Sequence, residues 1–121
     1  MNAISLFQPW AQLIADRKRK AFTKSWPVTI RGKMAIHAAG RINEEKCKEF
    51  GYNPSTLRLD AIVAIVEVKD CVPIEEVRVS KFEGTEKVQN SYAVKVNVIK
   101  KLRKPIPMKG HPKVWTCQDI W

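Results

Sequence analysis

Histidine occurs only twice, at 37 and 111, and cysteine three times, at 47, 71 and 117. The thiols are odd in number and widely spaced, with no C-x-x-C pair and no histidine at ligand spacing. Neither a disulfide framework nor a zinc site is therefore supported. Each cysteine is expected as a small buried or half-buried thiol in a reducing, intracellular setting. No apolar stretch approaches the roughly 18 residues that a membrane span needs. No cationic segment precedes an apolar core at the amino terminus, where the basic run follows the apolar one. That order does not suit a secretory signal, and a cytoplasmic, non-secreted protein is expected. G-x-G-x-x-G, Walker-type, G-x-S-x-G and H-E-x-x-H patterns are all missing, so no metal or cofactor is expected. Acids are scarce as well: 12 Asp and Glu stand against 22 Lys and Arg, a net charge of +10. On a chain of 121 residues that excess sets up a positive field suited to phosphate polymers or anionic surfaces. The plainer reading is charge that serves solubility alone. Clustering favours nucleic acid: one cluster is 17–20 with Lys24, the other Lys100, Lys101, Arg103, Lys104, Lys109 and Lys113.

What is present predicts an α+β fold, a small mixed β-barrel of five or six strands with two or three short helices, in one domain over 1–121. Ala3–Phe7 alternates weakly and reads as a strand. Pro9 suits a first helical turn, and Trp10, Leu13 and Ile14 fall on one apolar helical face, which marks Trp10 as core. Trp26-Pro27 keeps the segment around it extended or turning. Gly32 marks a turn before a mostly buried strand over 33–38. Asn43 is a plausible N-cap for a helix that runs through Phe50 and stops at Gly51. Asn53-Pro54-Ser55 makes a loop. Ala61–Val68, β-branched and almost wholly apolar, is the strongest strand. Pro73 and Glu75-Glu76 break it into a short helical turn or a loop. Ser91–Ile99 alternates, with Tyr92, Val94, Val96 and Val98 on one face. The prolines of 104–110 make that stretch extended or turning, and Val114–Cys117 is a possible closing strand.

The candidate site is the stretch from Gln8 to Ala39, in which two aromatic-marked segments flank the cations Arg17-Lys18-Arg19-Lys20. As a phosphate-contacting patch, Arg17, Arg19, Lys20 and Lys24 predict binding that weakens steeply with salt. As structure alone, the run is a solvated face that complements a helix dipole. Trp26 and Trp115 lie beside turn-forming or cationic sequence and are the candidate stacking surfaces. His37, inside Ala35–Ala39, reads either as a core histidine with ordinary hydrogen bonds or as a polar reader at a strand end. Glu67, the lone acid of the strong strand, must face solvent or meet a cation.

Ser5-Leu-Phe-Gln-Pro-Trp-Ala11, Ser25-Trp-Pro27, Arg31-Gly32, Ala35-Ile-His-Ala-Ala39 and Pro105-Ile-Pro-Met-Lys-Gly110 with Trp115 together resemble the ASCH domain family, small PUA-like barrels related to a coactivator domain. They follow the family's order across nearly the whole chain. The resemblance implies a β-barrel with helices around it and a cleft suited to RNA or a modified nucleoside. In the family a lysine, then an acid or threonine, then an arginine precede the serine–tryptophan pair; Arg19, Phe22 and Lys24 stand at the matching positions. Some members use that lysine with a threonine and a glutamate to hydrolyse an acylated nucleoside, chemistry that needs a nucleophilic oxygen and an amine able to shed its proton. Phe22 has no nucleophile and the Arg19 guanidinium stays protonated, so the hydrolase role does not carry over.

The reading is a module that binds RNA or single-stranded DNA without cofactor. Gln8, Arg17, Arg19, Lys20, Lys24, Ser25, Trp26, His37, Lys109 and Trp115 are its candidate contacts. Two alternatives stay open: a hydrolase or nuclease acting on RNA or a modified nucleoside, with His37 or Glu67 as acid–base group, and an adaptor recruited by a protein partner.

Overall fold

The computed structural model describes residues 1–76 and 90–119. In chain order its elements are β1 (Asn2–Gln8), α1 (Trp10–Ala15), β2 (Ala21–Lys24), β3 (Gly32–Ile42), α2 (Glu44–Glu49), β4 (Ala61–Pro73), β5 (Tyr92–Pro107) and β6 (Val114–Thr116), with 3-10 turns at Pro54–Thr56 and Ile74–Glu76. The strands form one mixed sheet in the order β2-β5-β4-β3-β1-β6. β1 and β3 pair in parallel and every other neighbouring pair is antiparallel. A parallel pair needs a long crossover, and here it carries α1 and β2. Along β4 and β5 the register shifts three times, between Ile62 and Ala64, Ile65 and Val66, and Val68 and Asp70. Such bulges bend and twist strands. The sheet is accordingly curled, with β2 and β6 at its two ends and no pairing between them among the described residues.

The expected α+β architecture is therefore observed, as six strands and two short α-helices. Ala61 to Val66 are all buried, which accounts for their unbroken apolar run. One core, on the α1 side, gathers Ile4, Leu6, Ile14, Phe22, Met34, Ile36, Val66 and Val94. A smaller one gathers Ala3, Ala35, Ile62 and Leu102, with Met108 and Trp115 packed against it. Phe22 thus fills the main core. Trp10 does not: unlike Leu13 and Ile14, it is only partly buried and lines a surface groove. Its position at the first residue of α1 leaves it at the rim, which helical spacing alone does not reveal. Asn43 caps α2, its Oδ1 accepting the Lys46 N–H at 3.1 Å, and Gly51 follows at φ +80°. The stretch 104–110 is extended as expected, and its first part is a continuation of β5, which runs on to Pro107. β2 covers β5 only from Tyr92 to Lys95. Pro105 and Pro107 thus lie beyond that covering strand, and strands tolerate proline at an open edge. Cys47 is buried and Cys71 and Cys117 half-buried, all as free thiols. Trp121 lies outside the described residues.

Candidate nucleic-acid interface

Asp16 caps the carboxyl end of α1, and its carboxylate ties the end of this helix to its neighbours. It accepts hydrogen bonds from Gln12 Nε2 at 3.0 Å and Tyr52 Oη at 2.7 Å and pairs with Lys101. Burial pushes the Asp16 pKa up, but hydrogen bonds from Lys101, Tyr52 and Gln12 outweigh it and hold the carboxyl below its usual range. The same burial, with the carboxylate beside it, pushes the Tyr52 phenol up. Arg17 then turns the chain at φ 60°. The Lys18 ammonium sits 4.7 Å from the Tyr52 ring centre and the Arg19 guanidinium 4.9 Å from that of Phe50, within the range of cation–π attraction. The basic run is thereby tied to the end of α2. Arg17, Arg19 and Lys20 line a cleft of about 250 Å³ with Val96, Asn97 and Val98 of β5. No acid lines it, and none of the three cations has a carboxylate partner among the described residues.

Lys24, Ser25 and Trp26 lie at the far end of β2. Four extended residues carry the chain roughly 13 Å from Lys20, and Lys24 is not part of the basic cleft. Its Nζ donates to the Ser5 carbonyl at 2.6 Å. Burial lowers the Lys24 pKa to about 8, and no carboxylate partners it among the described residues. Ser25 is exposed, and Trp26 is partly buried against the main core.

Ser5 also joins His37. The Ser5 Oγ lies 2.9 Å from His37 Nδ1, and His37 Nε2 lies 2.6 Å from the Met108 carbonyl. A carbonyl only accepts, so Nε2 carries the proton and the Ser5 hydroxyl donates to Nδ1. A serine on a histidine is the geometry of a nucleophile with its base. Here the histidine is wholly buried and Gly110 covers the pair: a Cβ at 110 would stand 2.7 Å from His37 Cε1 and 2.8 Å from Ser5 Oγ. The pair is a clip joining β1, β3 and the segment after β5. Gly110→Ala is accordingly expected to destabilise the fold by about 1–3 kcal/mol, read as a lowered Tm.

The remaining candidates are spread out. Gln8 is fully buried; its Oε1 accepts the Gln12 N–H at 3.0 Å and its Nε2 donates to the Arg58 carbonyl at 2.9 Å, so it anchors the start of α1. Trp115 meets His37 edge-on, ring centres 5.4 Å apart, and its buried indole N–H has no partner among the described residues. Lys109 is exposed beside Gly110. The chain thus gathers Arg17, Arg19 and Lys20 in one place, and Lys24 and His37 on either side of Ser5 in another. Glu67 meets a cation, Lys69, two residues along the same strand. No group of three or more His, Cys, Asp and Glu suited to a metal occurs among the described residues, and no helix there is long and apolar enough to cross a membrane.

Sequence reasoning missed a second depression, a groove of about 450 Å³ that includes Phe7, Trp10 and Arg41. Phe7 is 51% exposed. Its signal was available: Phe7 is out of phase with the inward-facing Ile4 and Leu6, so alternation turns it outward.

A curled mixed sheet with one parallel pair, two short helices and a cationic cleft defines a class of small α+β domain. No family model and no curated protein matches the chain. Among solved structures it is similar to ASCH from Zymomonas mobilis, at TM-score 0.59 and 14% identity, over 97% of this chain and 87% of that one. A serine-to-alanine variant of the same protein aligns at TM-score 0.57 and 15% identity, with the same coverage. The chain has an ASCH-like fold.

Proposed function

We propose that this chain is a binding module for single-stranded RNA, engaged electrostatically through the cleft of Arg17, Arg19 and Lys20, with Lys24 as a further phosphate contact. The carrying observation is the cleft itself. Arg19 is held there over the Phe50 ring at the end of α2, and neither it, Arg17 nor Lys20 has a carboxylate to neutralise it among the described residues. A cation pinned in place loses little freedom when a phosphate arrives, so more of the attraction appears as affinity. The ASCH-like fold supports the same reading by analogy with the family's cleft.

Catalysis gains no comparable support. Phe22 is packed in the core, the Ser5–His37 pair is sealed by Gly110, and Glu67 is spent on Lys69.

Arg19→Gln keeps a side chain of polar, extended shape and removes one phosphate contact. Fluorescence anisotropy with a labelled, unstructured RNA oligonucleotide should show weaker binding and a slope of log K against log salt that is shallower by about 0.7. An unchanged slope would remove Arg19 from the interface.

A further inference from the structure

The groove of Phe7 and Trp10 takes no part in the phosphate contacts, yet it has the features of a recognition pocket. Phe7 is a large aromatic held half out of the protein at the end of β1. Trp10, at the start of α1, forms a second aromatic wall, and the Arg41 guanidinium stands 5.9 Å from the centre of the Phe7 ring. The rim is acidic. Glu44 and Glu45 line the groove, and neither carboxylate has an ion pair or hydrogen bond among the described residues. Both also lie in the first turn of α2, where they complement the helix dipole.

That mixture selects an occupant. Two carboxylates at the rim repel a phosphate, so the groove is a poor continuation of the basic cleft. Aromatic faces beside a guanidinium plane suit an unpaired base, which stacks on either kind of surface. Carboxylates then read the edge of that base, and they can only accept hydrogen bonds. Guanine places two adjacent donors, N1–H and the exocyclic amine, on its pairing edge, so one carboxylate can take both. Adenine and cytosine place a ring acceptor beside their amine, and uracil flanks its single N–H with two carbonyls. Each of those meets a carboxylate with at least one repulsive contact.

The placement fits a single strand that also reaches the cleft. α1 runs from Trp10 in the groove to the turn that carries Arg17, and α2 runs from Glu44 in the groove to Phe50 under Arg19. Six helical residues span about 9 Å. Groove and cleft therefore lie at opposite ends of the same two short helices.

We propose that the Phe7–Trp10 groove is a stacking pocket for an unpaired guanine of a single-stranded RNA whose neighbouring phosphates lie in the basic cleft. This rests on the RNA-binding reading above.

The test compares two labelled RNA heptamers, all-uridine and the same with one central guanosine, on the full chain and on two variants. Phe7→Ala removes the stacking face, and Glu44→Gln with Glu45→Gln turns each two-oxygen acceptor on an exposed rim into an amide with one acceptor and one donor, which cannot take both guanine N–H groups. The unmodified chain should prefer the guanosine heptamer. Phe7→Ala should weaken that complex about fivefold or more without changing its salt slope, and the double Gln variant should abolish the preference while leaving the all-uridine affinity in place. Binding of both heptamers with equal affinity, or a guanosine preference that survives both variants, would overturn the guanine pocket and leave the RNA reading standing. Failure of both heptamers to bind at low salt would overturn both. A groove that instead takes a lysine-rich peptide in a Phe7-dependent way, with RNA affinity untouched by Phe7→Ala, would overturn the pocket in favour of a protein partner.

Discussion

Lys24→Met is expected to make the protein more stable and to weaken its hold on RNA. Burial lowers the Lys24 pKa from 10.5 to about 8, so keeping the ammonium charged at neutral pH costs on the order of 3 kcal/mol. Methionine fills similar space without the charge. It gives up the hydrogen bond to the Ser5 carbonyl, worth about 1 kcal/mol. The net gain is about 2 kcal/mol, visible in chemical denaturation at pH 7. The pH dependence carries the sign. Between pH about 8 and 10.5 the unfolded chain holds a proton on Lys24 that the folded chain has released, so stability rises with pH across that window and is flat in this respect below it. RNA should behave oppositely. A phosphate beside Lys24 favours the ammonium, binding takes up a proton, and affinity falls as pH rises past about 8. Lys24→Met should flatten both curves. A variant that is less stable than the parent, or that keeps the parent's pH dependence of binding, would contradict this account of Lys24.

His37→Ala should be the most damaging single change among the candidate residues. The ring is fully buried, bonded on both nitrogens and packed edge-on to Trp115. Removing it leaves a cavity and strips the Ser5 hydroxyl and the Met108 carbonyl of their partner. Together these cost about 3 kcal/mol or more, a large share of the roughly 5–15 kcal/mol that holds a domain folded. A sharp drop in Tm is the expected result. Measured well below that Tm, RNA affinity should stay within about threefold of the parent, since the ring offers no free nitrogen to a ligand. A stable His37→Ala protein that has lost RNA binding would instead make His37 a direct contact.

Local chemistry made much of the fold legible. The 61–68 run, the Asn43 cap with Gly51 behind it and the turn at Glu75-Glu76 each act over a few residues, and each appears where the sequence puts it. The ASCH-like resemblance rested on short pieces spread along the whole chain, and the fold agrees with it. What stayed hidden depends on distant partners. Gln8 reaches Arg58 and His37 reaches Met108; the apolar run around His37 made a core histidine one of its two readings, but nothing near either residue in the sequence names its distant partner. Lys20 and Lys24 look like one cluster on paper, but an extended β2 sets them apart. Arg19 looks like a free cation until Phe50 arrives beneath it. Whether Pro105 and Pro107 can continue a strand depends on how far β2 extends along β5, a tertiary matter.

The central claim is that the cleft of Arg17, Arg19 and Lys20 binds the phosphates of single-stranded RNA, and a salt titration of the unmodified chain tests it most directly. With three to four phosphates contacted, log K for an unstructured RNA oligonucleotide should fall linearly with log salt, with a slope of about −2 to −3. Affinity should then drop roughly 20- to 50-fold between 50 and 200 mM salt. No detectable binding at 50 mM salt, or binding indifferent to salt, would contradict it.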